Sequence, residues 1–177
     1  LLGTTAYLNT SYLIGRSSMR FSVDVLPRTN TNGQSDGNGV GIIIGNVDSN
    51  TYYRLSMNAR YGFTRLEKRD GESFTTIAAN AIGYIENEEI ELSVEVNTGK
   101  MIVMINSKPI FGISNFDVPI DTIGLYCQDR SSFDNVVVSD NSLQPLIAIS
   151  SPLAFSVIPA SGDDVNSILA EAVVLNQ

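Results

Sequence analysis

The chain of 177 residues has no His, no Trp and a single Cys, Cys127. Without His there is no Ser-His-Asp or Cys-His relay and no His-ligated zinc or haem. One Cys makes neither an internal disulfide nor a Cys-cluster metal site. Cations are also scarce. Eleven Lys and Arg face nineteen Asp and Glu, a net charge of −8, which argues against a nucleic-acid partner, since phosphates call for a basic patch. No stretch approaches the ~20 apolar residues that span a bilayer, so no membrane insertion is expected. No signal peptide is visible, although one could have been removed. The chain opens on Leu1 and reads as a fragment or a processed product. Low Cys usage with abundant Asn, Ser, Thr and Asp suggests a secreted, extracellular or cell-surface module.

What is present is a hydrophobic fraction of 43%, enough for a core and too much for disorder over the whole length. The length fits one domain of ~100–200 residues. The dominant period is two. Met19, Phe21, Val23 and Val25 alternate with Ser18, Arg20, Ser22 and Asp24. Ile90, Leu92, Val94 and Val96 alternate with Glu89, Glu91, Ser93 and Glu95. That is the pattern of strands with one face in the core and one in water. The runs Ile42-Ile43-Ile44, Met101–Ile105 and Val136–Val138 read as strands buried on both faces.

Asn32-Gly33, Asp36-Gly37, Asp70-Gly71, Thr98-Gly99 and Asn106-Ser107 punctuate these runs as turns. The spacing predicts strands over 6–14, 18–26, 39–46, 51–58, 61–68, 73–79, 89–97, 100–106, 109–113, 121–127 and 132–139. Many short strands without a helical period predict an all-β, two-sheet antiparallel β-sandwich or jelly roll over residues 1–140. Residues 27–38 form one long polar loop, either a solvated connection or a binding rim with oxygen ligands in Asp36 and Asn38. Composition shifts after Asp140. Residues 141–177 read as a linker and tail that pack on the domain or lead to a next module. Within them Val165, Ile168, Leu169, Ala172 and Val173 are spaced as a short helix capped by Ser161 or Asp163. A strand belonging to a truncated neighbour is the other reading of that stretch.

Several runs together resemble a known family. They are Asp48–Leu55 (DSNTYYRL), Tyr61–Gly71 (YGFTRLEKRDG), Gly99–Asn106 (GKMIVMIN), Thr122–Tyr126 (TIGLY) and Ser132–Val138 (SFDNVVV). Over roughly residues 5–139 the chain resembles the concanavalin A-like lectin/glucanase superfamily, close to its laminin-G-like jelly rolls. The resemblance implies a module of the kind appended to bacterial glycoside hydrolases and adhesins. On that reading the chain is a noncatalytic carbohydrate-binding or adhesion module. Its partner is a glycan or cell-surface ligand. The alternatives are a protein-binding or structural spacer and a glycoside hydrolase or lyase.

Three kinds of site follow. Glucanases of the superfamily use paired carboxylates on one strand, and Glu89, Glu91 and Glu95 share a face. The same face is also the polar side of an amphipathic strand, and its spacing departs from the enzyme motif. For sugar binding, aromatic faces and hydrogen-bonding side chains point to Tyr52, Arg54, Tyr61, Arg65 and Tyr126. Leu55 and Met57 share a parity with Tyr53, which places Tyr53 in the core and leaves Tyr52 and Arg54 as the exposed pair. For calcium, which takes six to eight oxygens, the resemblance makes Asp134 the first candidate, with Asp24, Asp36, Asp48 and Asp129 behind it. Asp134 bonding backbone amides at a turn is the alternative.

Overall fold

The structure, a computed structural model, describes residues 4–9, 18–28, 39–46, 50–118, 120, 122–128, 130–139, 145–148, 155–157 and 168–170. In chain order the strands begin with β1 (Thr4–Asn9), β2 (Ser18–Pro27), β3 (Gly39–Asn46), β4 (Thr51–Asn58) and β5 (Phe63–Asp70). They continue with β6 (Ser73–Asn80), β7 (Ile90–Asn97), β8 (Lys100–Ile105), β9 (Lys108–Ile113), β10 (Thr122–Cys127) and β11 (Ser131–Ser139). Three short strands follow: β12 (Pro145–Ala148), β13 (Phe155–Val157) and β14 (Ile168–Ala170). Two sheets result. The first runs β14-β1-β10-β3-β4-β5-β6, and the second β12-β11-β2-β7-β8-β9, with β13 also paired to β11. Every pairing is antiparallel except β1 with β14.

The alternation in the sequence sets which face each strand buries. Met19, Phe21, Val23 and Val25 of β2 lie in the core beside Leu92, Val94 and Val96 of β7. Val40, Ile42 and Ile44 of β3, Tyr53, Leu55 and Met57 of β4, and Ile123 and Leu125 of β10 enter it from the first sheet. Asn106 and Ser107 join β8 to β9 with φ of 49° and 60°, the left-handed conformation of a tight hairpin turn.

Two expectations change. Met101–Ile105 is not buried on both faces, because Ile102 is exposed on the solvent side of the second sheet. Ile168–Ala170, placed by spacing in a helix, form strand β14 along β1, Ala6 opposite Ile168. An edge strand offers unmade hydrogen bonds that a three-residue segment can satisfy, whereas an isolated helix this short gains little. Residues 29–38, where the polar loop falls, lie outside the described residues, as do residues 10–14 and 140–144.

Candidate functional site

The cross-strand register builds one solvent-side face on the first sheet. Ile43, Arg54 and Glu67 lie side by side across β3, β4 and β5, and Tyr52 stands beside Arg69. Gly41, Ser56 and Arg65 form the next row, with Tyr126 of β10 opposite Gly41. Period two therefore assigns Tyr52, Arg54, Arg65 and Tyr126 to one face, away from the core that takes Tyr53.

That face is covered rather than bare. Tyr52, Tyr126 and Ile43 form a second buried cluster, the two tyrosines only 4% and 5% exposed. A Cβ on Gly39 of β3 would stand 2.6 Å from the Gln128 side-chain oxygen and 3.3 Å from the Tyr126 ring, so the glycine leaves room for both side chains. Above the tyrosines Arg54 sits between two rings, its guanidinium 4.2 Å from the centre of Phe74 and 4.8 Å from that of Tyr126. Its Nε and Nη2 both donate to Oε2 of Glu67, at 3.0 and 2.8 Å. Arg69 donates to the Tyr52 hydroxyl at 3.1 Å and to the Gly71 carbonyl at 2.8 Å. Burial pushes the Tyr126 hydroxyl up to about 12, against the pull of the Arg54 charge.

At the end of this face near the β4–β5 turn lies a cleft of about 840 Å³. Asn58, Tyr61, Phe63, Arg65, Asn80 and Gln128 line it. The Arg65 guanidinium lies 3.9 Å from the centre of the Phe63 ring, and Arg60 lies 5.4 Å from that of Tyr61. Asn58 Oδ1 accepts from the Tyr61 amide at 2.8 Å and so shapes the turn. Tyr61 is 66% exposed. Aromatic faces, amides and the guanidinium groups of Arg60 and Arg65 thus converge on one concavity, the mixture that small polar ligands require.

All five candidate ligand residues stand at this face or on its turn, but in two groups. Tyr61 and Arg65 line the cleft. Tyr52 and Tyr126 are buried beneath Arg54 and Phe74, so the expected exposure of Tyr52 is wrong; Arg54 is largely covered, its side chain 19% exposed. Parity tells which face a residue is on, not whether neighbouring side chains roof it. Phe63, Phe74, Glu67, Asn58, Asn80 and Gln128 join the site without having been candidates. Phe74 carried a usable signal, as an aromatic residue placed just after the Asp70-Gly71 turn and so at the start of the returning strand.

The carboxylates of the second sheet are engaged elsewhere. Arg20 pairs with Glu91 at 3.5 Å and Glu95 at 3.4 Å, and the Ser107 hydroxyl donates to Glu91 at 2.8 Å. Asp24 and Asp134 are direct cross-strand neighbours. The Asn135 side-chain amide donates to Asp24 at 2.6 Å, and its backbone N–H to Asp134 at 2.7 Å. Two carboxylates supply up to four of the six to eight oxygens that calcium takes. Among the described residues no group of three or more Asp, Glu or Cys could hold an ion. Asp36, Asp48 and Asp129 lie outside the described residues.

No family model and no curated protein matches the chain. Solved structures do. Carbohydrate binding module CBM66 from Bacillus subtilis superposes with a TM-score of 0.57 at 14% identity, over 71% of this chain and 76% of its own. Sheep galectin-11, solved in complex with glycerol, gives 0.61 at 10% identity over 78% and 100%. Chicken galectin 2 gives 0.58 at 10% identity over 75% and 95%. At such identities the likeness is one of fold: the chain shares the two-sheet antiparallel β-sandwich of these proteins.

Proposed function

We propose that this is a noncatalytic carbohydrate-binding module, and that the sugar docks on the solvent face of the first sheet with its anchor in the cleft. The observation that carries the reading is the convergence of Tyr61, Phe63, Arg65, Asn58, Asn80 and Gln128 there. A sugar ring has apolar C–H faces that stack on aromatic rings and an equatorial belt of hydroxyls that amides and guanidinium groups bind. The neighbours support it: one is by name a carbohydrate binding module and others are galectins. The pairing of Glu91 and Glu95 with Arg20 supports a noncatalytic role. An extracellular or cell-surface setting and a part in adhesion belong to the same proposal.

The test is a glycan array followed by calorimetry on each hit. Tyr61→Ala and Phe63→Ala are each expected to weaken binding about tenfold, the equivalent of ~1.4 kcal/mol, with the melting temperature of Tyr61→Ala unchanged. A second reading, a protein-binding spacer, is favoured by Phe74, Ile77, Ile82 and Ile85, all exposed on or just after edge strand β6. An array without hits at high protein concentration would favour it.

A further inference from the structure

The charge of this molecule is unevenly placed. The chain is acidic, yet five of its eleven cations, Arg54, Arg60, Arg65, Lys68 and Arg69, fall between residues 54 and 69, where Glu67 is the only acid. Most of these charges have an assigned partner. Arg54 takes Glu67, and Lys68 takes both oxygens of Asp117 at 2.9 Å. Arg69 is held by Tyr52 and the Gly71 carbonyl. Arg65 differs. Its cross-strand neighbours are Ser56 and Ala79, both neutral, and its contact is the Phe63 ring. Among the described residues no carboxylate pairs with it. A guanidinium in a concave, aromatic-walled site, without a carboxylate partner among the described residues, is set to take a counter-charge from a ligand.

We propose that the ligand is an anionic saccharide, whose carboxylate or sulfate group binds Arg65 while its ring stacks at Tyr61. The inference rests on the carbohydrate-binding reading and adds the charge class of the sugar. Both anions offer two oxygens to the donor fork of one guanidinium. Stacking on Phe63 holds that fork in place, so little side-chain freedom is lost on binding. Outside residues 54–69 the chain carries six cations against eighteen acids, so the stretch richest in positive charge is this hairpin.

The experiment is calorimetry of the whole chain against matched pairs: trigalacturonate and its methyl ester, and a sulfated galactan oligosaccharide and its desulfated form. In each pair the sugar backbone is the same, and the anionic group is masked as an ester or removed. The expected result is that the charged member of at least one pair binds ten times more tightly or better at low ionic strength. That advantage shrinks as added sodium chloride shortens the screening length from about 10 Å toward ~3 Å. Arg65→Gln abolishes the advantage and Arg65→Lys retains part of it, with the melting temperature of each variant checking that it folds. Which pair responds identifies carboxylate or sulfate. Equal binding of charged and neutral members overturns the inference and leaves the sugar site standing. A charge preference that survives in Arg65→Gln also overturns it. Binding to no saccharide of any kind removes the carbohydrate reading itself, and the inference with it.

Discussion

Arg54 and Glu67 are cross-strand neighbours joined by two hydrogen bonds onto one carboxylate oxygen, and a ring closes each side of the guanidinium. With side chains only 19% and 11% exposed, each charge depends on the other. Removing one partner strands the other away from water, which costs about 3 kcal/mol. Glu67→Gln should therefore lower the melting temperature by roughly 6–12 °C for a chain of this size. Replacing both, as Arg54→Met with Glu67→Leu, should cost much less than the sum of the single changes, because no stranded charge remains. Thermal melts of the parent, Arg54→Met, Glu67→Leu and the double variant form the cycle that measures the coupling.

Much of this architecture was legible in advance, for a physical reason. Strict alternation at Met19–Val25 and Ile90–Val96 fixes a strand and its buried face together, and the predicted 39–46 and 51–58 coincide with β3 and β4. Alternation is blind to what covers the opposite face. Tyr52 sits at the right parity, but Phe74 reaches across from β6 to roof it together with Arg69. Nothing in the local pattern around Tyr52 announces a partner two strands away. The cleft was only half legible. Tyr61 and Arg65 stand out by type, whereas Asn80 arrives at the end of the β5–β6 hairpin, opposite Thr64, and Gln128 comes from the end of β10, two strands from β4. Ile168–Ala170 misled because their apolar spacing suits a helix as well as an edge strand.

Two tyrosines set an alkaline limit on the fold. Burial, with the Asp117 carboxylate beside it, pushes the Tyr53 hydroxyl up to about 12, and burial does the same to Tyr126. The unfolded chain loses these protons near 10. Their contribution is therefore complete below pH ~10 and is lost as the pH rises from there through about 12. Asp117 works in the opposite sense. Its hydrogen bond from Lys68 holds the carboxyl below its ordinary value, so its contribution is present above pH ~4 and fades on acidification below that. Absorbance at 295 nm should show Tyr53 and Tyr126 ionising late, together with unfolding. Tyr53→Phe should remove one late-titrating group.

Gly41 marks a backbone approach so close that a single methyl group tests it. A Cβ there would run into the carbonyl oxygen of Leu55 on the neighbouring strand. Backbone cannot turn aside as a side chain does, so Gly41→Ala should cost more than ~3 kcal/mol and yield little folded protein. Gly112 of β9 has open space where its Cβ would be, and Gly112→Ala should stay within about 0.5 kcal/mol of the parent. Denaturant midpoints of the two variants make the comparison.

Asp24 and Asp134 face each other across β2 and β11, an arrangement that repels. Asn135 relieves it. The ladder slips between Asp134 and Val137, and Asn135 takes a φ of 49° there, which lets its amide donate to Asp24 while its N–H serves Asp134. Asn135→Ala loses that amide and the local hydrogen bonding that eases Asn into the left-handed region, a cost of about 1–2 kcal/mol. Asn135→Gly should restore the backbone part alone. Asp134→Asn, measured in chelator, should raise stability by a few tenths of a kcal/mol by removing the repulsion. The same melts in millimolar calcium read whether an ion bridges the pair. A bridging ion raises the melting temperature of the parent and leaves that of a further variant, Asp134→Ala, unmoved. A rise that sodium chloride reproduces is screening of the two carboxylates and nothing more specific.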